Sequence, residues 1–322
     1  MLTYFISGGA GFVGSHLINR ILSEEKDAYI IIYDNLSSGK IPREYLSELK
    51  NIKNLKIVNA DIKDLHTLVK NIKNVDIVYH LASNPDIAKA ITQPDIDFSE
   101  GTYLTNNILE AMRINNVKKL LYSSGSGVYG DTGFLEVNED HSPMFPISTY
   151  GASKLACEAL ICSYCHMFDM AAVAFRFANI VGPHQTHGVG FDFINKLIKN
   201  PAVLEILGDG NQSKSYMYVI DAINAMRLLE KNLPKGFSYY NVATLDYLTV
   251  KEIADTVVEV MGIENVKYVY TGGKKGWKGD VPVVRLNSEK IKKLGWRNEY
   301  TSREAIYLSI KSIYEELERE RL

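Results

Sequence analysis

A tyrosine and a lysine four residues apart, Tyr150 and Lys154, have the types and spacing that acid–base chemistry at a hydroxyl requires. They fall in a segment of helical periodicity that begins near Ser148 and continues through Phe168, so they should lie on one face, one turn apart. An ammonium group close to a phenol favours the phenolate. A phenolate can take a proton from an alcohol or sugar hydroxyl. Because such pairs are common on helices, the interpretation depends on the elements that position this one.

Three glycines separate a predicted strand from a predicted helix near the N-terminus. The strand is the apolar run Tyr4–Ile6, the helix is Ser15–Leu22, and Gly8, Gly11 and Gly14 lie between them. The first glycine can adopt a positive φ, the second lets backbone approach a pyrophosphate, and the third lets helix pack on strand. The free N–H groups at the start of the helix would bind the phosphates. This order predicts a dinucleotide site.

An acidic residue after the second predicted strand indicates which dinucleotide. Tyr29–Tyr33 is apolar, and Asp34 follows it, twenty residues after Gly14. A carboxylate there can accept both ribose hydroxyls of an adenosine and would repel a 2′-phosphate. The sequence therefore predicts NAD rather than NADP. A positively charged nicotinamide ring would also favour the Tyr150 phenolate, and Lys154 could hydrogen-bond the nicotinamide ribose.

Strands and helices alternate through the first half of the chain. The further strands and the helix that we expect are Leu55–Asn59, Val75–Leu81, Lys119–Ser123 and Ala171–Phe177, with a helix over Asp95–Asn115. This alternation predicts an α/β protein with a Rossmann-type, doubly wound and mostly parallel sheet.

Beyond about Asn179 the loops lengthen and the strands shorten. We expect residues 1–178, with about 216–243, to form an NAD-binding domain. Residues 179–215 and 244–322 would form a smaller α/β lobe that binds the substrate and closes over the cofactor.

The composition of the 322 residues is 46% apolar and 23% charged, with a net charge of −2. It indicates neither nucleic acid nor membrane as a partner, because no basic excess and no apolar run of membrane-spanning length is present. Cys157, Cys162 and Cys165 are interpreted as helix residues in a reducing, cytoplasmic location. His184 and His187 are spaced like metal ligands, but no carboxylate or cysteine cluster accompanies them, so no metal is expected.

The chain resembles the extended short-chain dehydrogenases/reductases, in particular their NAD-dependent nucleotide-sugar epimerases, of which the UDP-glucose (UDP-galactose) 4-epimerases are typical. The resemblance covers nearly the whole chain. It rests on the segments 8–14, 34–39, 61–62, 80–82, 128–130, 150–154, 177–179, 182–183, 208–210 and 279–282. It implies tightly bound NAD that is reduced and reoxidised within one turnover. Hydride would leave C4 of the hexose and return to the other face after the 4-keto sugar swings about its bond to the diphosphate.

The resemblance also implies roles for individual residues, with Tyr150 as the base. Asp61 and Ile62 would contact adenine, and Asn179 would touch the substrate diphosphate. The cofactor residues expected from the motifs and the resemblance are Gly8, Gly11, Phe12, Val13, Gly14, Asp34, Asn35, Ser37, Ser38, Gly39, Asp61, Ile62, Leu81, Ala82, Ser83, Tyr150, Lys154 and Phe177. The substrate residues expected are Asn179, Lys214, Tyr216, Lys275 and Asp280.

The sequence departs from the family at the hydroxyl that hydrogen-bonds the C4 oxygen. The family has Ser or Thr three residues before Val-Tyr-Gly, and this chain has Gly125. Losing that hydrogen bond would cost about 1–3 kcal/mol, or roughly ten- to a hundredfold in rate. Ser126 is the first candidate for a replacement catalytic hydroxyl, since the matching position faces the sugar in related dehydratases, and Ser124 is the second.

A second departure concerns the cations around the diphosphate. Lys214 stands where the family has arginine, and the arginine before Gly279 is missing, with Lys274, Lys275 and Lys278 nearby. Lysines can neutralise a diphosphate without the bidentate fork of arginine. We expect Lys214 to be a ligand and Lys275 a weaker one.

A third departure separates the epimerases from the sugar-nucleotide 4,6-dehydratases. The dehydratases carry an acidic pair just before Val-Tyr-Gly, where this chain has Ser126 and Gly127. The position that gates C2 substituents matches the small Val284, which suggests that N-acetylhexosamines are admitted as well. Another reductase, dehydratase or epimerase of the family, and a non-catalytic NAD-binding protein, remain as alternatives.

Members of the family usually pair through two helices, here Asp95–Asn115 and Ser148–Phe168. Met112 and Leu160 are apolar residues on these helices that would support such a homodimer.

Overall fold

The computed structural model describes residues 1–37, 52–84 and 86–319. The strands are β1 (Thr3–Ser7), β2 (Tyr29–Asp34), β3 (Leu55–Asn59), β4 (Ile77–His80), β5 (Lys119–Gly125), β6 (Ala171–Phe177), β7 (Asn179–Val181), β8 (Val203–Ile206), β9 (Ser213–Lys214), β10 (Tyr216–Tyr218), β11 (Gly236–Val242), β12 (Leu248–Thr249) and β13 (Lys267–Tyr270). The helices are α1 (Phe12–Glu24), α2 (Leu65–Asn71), α3 (Tyr103–Ile114), α4 (Thr149–Phe168), α5 (Val189–Lys199), α6 (Val219–Lys231), α7 (Val250–Met261), α8 (Glu289–Lys292) and α9 (Ser302–Arg319). A π-helical turn, Phe98–Thr102, leads directly into α3.

Seven strands form one sheet in the order β11-β6-β5-β4-β1-β2-β3. The pairs β1–β2, β1–β4, β2–β3 and β4–β5 are parallel. The central strands are almost fully buried because helices cover both faces of a parallel sheet, which explains their continuous apolar runs. The predicted doubly wound α/β fold is confirmed.

The order of the strands reverses between β1 and β4. From β1 the chain builds outward through β2 and β3, and it then returns to place β4 on the other side of β1. In open α/β sheets, ligands bind beyond the carboxyl ends of the strands at such a reversal. The residues that follow β1 and β4 are therefore the first place to look for a site.

Helices α3 and α4 pack against the large sheet. Met112 is fully buried in the core, and Leu160 is partly buried against the same core. The use of Met112 as support for a dimer was therefore wrong, since its side chain serves the interior of its own chain. The apolar side chains on α3 that are exposed are Tyr103 and Ile114, at 42% and 52%.

The chain packs as two compact units. The first contains residues 1–125, 149–176 and 223–240, and the second contains residues 126–148, 177–222 and 241–322. The predicted boundaries differ from these in assigning 126–148, 177–178, 216–222 and 241–243 to the first domain. Residues 126–148 join the second unit because Val137 pairs with Leu286 and the carboxylate of Glu139 accepts from Asn241 N.

The second unit has small sheets and a core of its own. Its strand pairs are β7–β10 and β8–β13, which are parallel, and β9–β12, which is antiparallel. Phe193, Ile253 and Ile306 are buried in one apolar cluster formed by α5, α7 and α9. None of the helices in the described ranges has the length and apolar character needed to cross a membrane.

Candidate active site

The turn after β1 has the shape that a dinucleotide needs. Gly8 has a φ of +68°, and a Cβ there would lie 2.7 Å from the backbone nitrogen of Ala82. A Cβ on Gly14 would lie 2.6 Å from the carbonyl oxygen of Gly8, whereas one on Gly11 would meet only that oxygen at 3.3 Å. Gly8 therefore permits close packing on the segment after β4, and Gly14 permits close packing of α1 on the turn. Gly11 leaves no side chain to obstruct a phosphate at the start of α1. Phe12 and Val13 begin α1, where N–H groups without helical partners favour phosphate.

Asp34 ends β2 beside this turn. Its carboxylate accepts from Ala10 N at 3.0 Å and from Leu36 N at 2.8 Å, one on each oxygen. Burial raises the pKa of this carboxyl, and the two backbone hydrogen bonds partly offset that. Each oxygen keeps a lone pair for a ribose hydroxyl. The chemistry and position of these residues fit the adenosine half of NAD.

The residues expected around adenine come from β3 and its following loop. Asn35 Nδ2 donates to Asp61 Oδ2 at 3.3 Å, and Ser37 N donates to Asn35 Oδ1 at 3.1 Å. Ile62 is buried, and its carbonyl accepts from Asn107 Nδ2 at 3.1 Å. Asn107 was not predicted from the sequence, although an asparagine on the apolar face of a helix is a recognisable signal. Ser38 and Gly39 lie outside the described residues.

The segment after β4 packs against the glycine turn. Leu81 N donates to Ser7 O at 3.0 Å, and Ala82 abuts Gly8, while Ser83 follows in a bend. His80 is buried between two hydroxyls, Ser7 Oγ at 2.7 Å from Nδ1 and Thr105 Oγ1 at 3.0 Å from Nε2. Burial, assisted by the charge of Lys154, lowers the pKa of His80 to about 3.

Tyr150 and Lys154 lie together in the first turns of α4. The Lys154 ammonium is 5.4 Å from the centroid of the Tyr150 ring and 5.1 Å from that of Tyr122. Lys154 is only 3% exposed, and its Nζ donates to Ser123 O, at the carboxyl end of β5, at 2.7 Å. Tyr150 is half-buried. A cation is thus held against a phenol at the same edge of the sheet as the glycine turn.

The two serines considered for the C4 hydroxyl have different surroundings. Ser124 Oγ is buried and donates to Glu158 Oε1 at 2.5 Å. Glu158 also pairs with Arg176 at 2.7 Å in an ion pair that is almost fully buried. Ser126 is half-buried in the turn after β5, and its hydroxyl makes no hydrogen bond to any residue that the structure describes. This contrast favours Ser126 as the hydroxyl that is available to a ligand.

The expected substrate residues gather in the second unit. Asn179 on β7 faces Tyr216 on β10 in the strand register, and its Nδ2 donates to Ser215 O at 3.2 Å. Lys214 Nζ donates to Asp280 Oδ1 at 2.7 Å, and Tyr216 is buried nearby. Burial and the charge of Asp280 raise the pKa of Tyr216, so its hydroxyl stays protonated and can donate.

Lys275, Gln212 and Phe177 belong to the same second unit. Lys275 forms an exposed ion pair with Asp131, at 3.7 Å. Gln212 is 3% exposed. In the described part of the chain, its Oε1 is the one buried side-chain nitrogen or oxygen atom without a hydrogen-bond partner. Phe177, expected at the cofactor, is buried at the end of β6. Residues 1–37, 52–84 and 86–319 contain no cluster of metal-binding side chains.

A glycine turn at the reversal of a doubly wound sheet, a carboxylate at the end of the second strand and a Tyr–Lys pair are the features that the sequence predicted for an NAD-binding enzyme. The chain belongs to the NAD dependent epimerase/dehydratase family, whose model matches residues 4–243. The resemblance and the cofactor class predicted from the sequence are confirmed.

The relatives of this chain include both epimerases and dehydratases. The chain is 34% identical to a Methanocaldococcus jannaschii protein provisionally named a UDP-glucose 4-epimerase, over 94% of this chain and 95% of that one. It is 27% identical to the human dTDP-D-glucose 4,6-dehydratase, over 95% of this chain and 88% of that one. A solved UDP-galactose 4-epimerase is 36% identical and superposes with a TM-score of 0.85, covering 98% of this chain and 100% of that one.

Proposed function

We propose that this protein epimerises C4 of a UDP-hexose and interconverts UDP-glucose and UDP-galactose. The observation that carries the proposal is the buried Lys154 ammonium, 5.4 Å from the centroid of the Tyr150 ring and anchored on the Ser123 carbonyl. A phenol beside a fixed cation is suited to take a proton from a hydroxyl and to return it. The similarity to 4-epimerases over nearly the whole chain supports the same reaction.

Tyr150 is the general base in this proposal. The phenolate takes the proton of the C4 hydroxyl as the C4–H bond breaks, and a 4-keto sugar results. Bound NAD supplies the acceptor for the hydride and its donor on return. After the sugar turns about its bond to the diphosphate, Tyr150 gives its proton back to the C4 oxygen. Lys154 balances the phenolate charge, and Ser126 hydrogen-bonds the C4 oxygen.

The two residues that precede Val128 favour epimerisation over dehydration. A 4,6-dehydratase must also move protons at C5 and C6, and its relatives use an acidic pair for that step. This chain has Ser126 and Gly127 there, and neither residue supplies a carboxyl group for that step.

The second unit is proposed to hold the diphosphate. Lys214 supplies a positive charge, Asn179 an amide and Tyr216 a hydroxyl donor. Asp280 orients Lys214 through the hydrogen bond between them. Lys275, which pairs with Asp131 at the surface, is a weaker contributor.

We also propose a cytoplasmic homodimer that pairs through α3 and α4. Tyr103 and Ile114 on α3 and Met167 on α4 expose apolar surface, at 42%, 52% and 71%. Light scattering during size-exclusion chromatography should give twice the mass of one chain, and the mass of a single chain would contradict this assignment.

One assay tests the proposed activity. The purified protein is incubated with UDP-glucose, UDP-galactose and their N-acetyl forms without added NAD, and the products are separated by chromatography. We expect interconversion of the two hexoses. A product that has lost water would identify a dehydratase, and bound NAD without any conversion would identify a non-catalytic protein. Conversion of UDP-glucose but not of UDP-N-acetylglucosamine would show that Val284 does not open the site to N-acetyl groups.

A further inference from the structure

Asp97 is a buried carboxylate to which the mechanism above gives no task. It is 2% exposed and immediately precedes the π-helical turn that leads into α3. One oxygen accepts from Asn84 Nδ2 at 2.8 Å, and the other accepts from Thr149 Oγ1 at 2.7 Å. The carboxylate thus joins two segments that are far apart in sequence.

The first of these segments is the loop after β4. Asn84 ends the run of Leu81, Ala82 and Ser83, and Ala82 packs against Gly8 so closely that a Cβ could not be accommodated there. The side chain of Asn84 also brackets Asp86, donating to its carbonyl at 2.9 Å and accepting from its N–H at 3.0 Å. Whatever fixes Asn84 therefore fixes the loop that borders the glycine turn.

The second segment is the start of α4. Thr149 directly precedes Tyr150, so a bond to its hydroxyl restrains the first turn of the helix. The backbone of Asp97 adds a second restraint, since its carbonyl accepts from Ser153 Oγ at 2.6 Å. Ser153 directly precedes Lys154. One residue therefore holds the neighbours of both members of the Tyr–Lys pair.

The π-helical turn explains how Asp97 comes so close to α4. Gly101 lies in this turn, and a Cβ there would be 2.4 Å from Ser153 Oγ. Thr102 Oγ1 lies 2.9 Å from the same hydroxyl. A wider turn with a glycine at the contact lets the two backbones approach, and such turns are frequent at functional sites.

We propose that Asp97 is a positioning residue that fixes two segments relative to each other. These are the loop after β4 and the first turn of α4, which carries Tyr150. Through Asn84 it fixes the border of the NAD site, and through Thr149 it fixes the direction of the Tyr150 hydroxyl. The proposal rests on the assignment of Tyr150 and of the loop after β4 in the proposed function.

The two hydrogen bonds to the Asp97 carboxylate, from Asn84 and from Thr149, can be removed separately. Asn84→Ala should raise the Kd for NAD about tenfold and leave kcat at saturating NAD nearly unchanged. Thr149→Val, which keeps the shape but loses the hydroxyl, should lower kcat about tenfold with KM and the Kd for NAD nearly unchanged. Asp97→Ala should do both. Asp95→Ala, which removes an exposed carboxylate two residues away, is the matched control.

Conservative variants separate positioning from a need for negative charge. In Asp97→Asn the amide oxygen can accept from Asn84, and the amide nitrogen can donate to Thr149 Oγ1, which also accepts. This variant, and Thr149→Ser, should recover most of what Asp97→Ala and Thr149→Val lose. If Asp97 acts on NAD through Asn84, adding Asn84→Ala to Asp97→Ala should leave the Kd for NAD where Asp97→Ala alone puts it.

The Kd for NAD is measured by calorimetry on protein freed of cofactor, and kcat on the UDP-hexose pair. Equal NAD affinity and equal kcat in Asp97→Ala and Asp95→Ala would overturn the proposal. Effects of Asn84→Ala and Thr149→Val that fall equally on both quantities would also overturn it. Lack of turnover by the unmodified protein would contradict the proposed function instead, whereas the NAD affinities are read without a sugar. If Asp97→Ala does not fold, Asn84→Ala and Thr149→Val still test the proposal, because each removes one of the two hydrogen bonds.

Discussion

At the scale of single residues, the surroundings of the two serines after β5 make a direct comparison possible. Ser126→Ala should lower kcat about ten- to a hundredfold, because it removes the hydroxyl that we propose stabilises the C4 oxygen. Ser124→Ala should affect kcat much less and should mainly lower thermal stability, since Ser124 donates to the buried Glu158. Steady-state kinetics and thermal denaturation of both variants provide the measurement. Near-normal kcat in both would contradict the role given to Ser126.

His80 predicts how stability depends on pH. Its pKa in the folded protein is lowered to about 3 from a usual 6.5, so the native imidazole stays neutral while the unfolded one takes up a proton below about pH 6.5. The unfolded state then binds more protons, and the free energy of unfolding should fall by about 1.4 kcal/mol for each pH unit below that point. Urea unfolding from pH 7.5 to about 5 measures this slope. His80→Asn should be less stable at pH 7.5, and its slope should be flatter; an equal slope would rule out His80 as the source.

At the scale of elements, the contact between β1 and α1 depends on the absence of a side chain. In Gly14→Ala the new Cβ would lie 2.6 Å from Gly8 O and from Gly9 Cα, which are both backbone atoms and cannot move aside alone. We expect a loss of about 1–3 kcal/mol of stability, together with weaker NAD binding.

Gly190→Ala is the matched control for this contact. Gly190 lies in the first turn of α5, and a Cβ there meets Ile310 at an ordinary 3.4 Å. Since alanine also favours a helix, stability should not fall in this variant. Chemical denaturation of both variants provides the comparison, and equal stabilities would show that Gly14 is not required for the close packing.

The elements that sequence patterns revealed are those with strong local signals. The bounds Ala171–Phe177 were predicted as the structure has them, because an apolar run marks this strand clearly. The helices α2 and α5 were not predicted. For α2 a signal was present, since Asp64 caps it by accepting from Thr67 N at 3.1 Å.

Other features could not be read from sequence because they depend on distant neighbours. The strands β9 and β12 are two residues long and pair with each other, and Ser213 of β9 also forms a bridge to Val283. The helix expected over Asp95–Asn115 was correct in place, but its π-helical turn follows from the packing of Gly101 on α4. The candidate residues of the glycine turn and the Tyr–Lys pair came from motifs, whereas the link from Asn84 through Asp97 to Thr149 required the fold.

At the scale of the whole molecule, cofactor binding should be visible as stability. A ligand that binds only the folded chain stabilises it, by about 2.7 kcal/mol at one hundred times its Kd. Protein freed of cofactor should therefore gain several degrees in Tm with NAD and much less with NADP, because the carboxylate of Asp34, in the place predicted for it beside the ribose, would repel a 2′-phosphate. Differential scanning fluorimetry with both dinucleotides measures this, and equal gains would contradict the role of Asp34.

The ion pair of Lys214 with Asp280 has a consequence for how a charged ligand would find the second unit. Since the carboxylate of Asp280 neutralises the ammonium of Lys214, this pair adds little to the electric field in the surrounding water, and its own attraction for an anion over long range is weak. Recognition there would depend on shape and on hydrogen bonds formed after arrival. Added salt would then slow capture of a diphosphate only slightly, and simple anions such as sulfate would compete poorly for the same place.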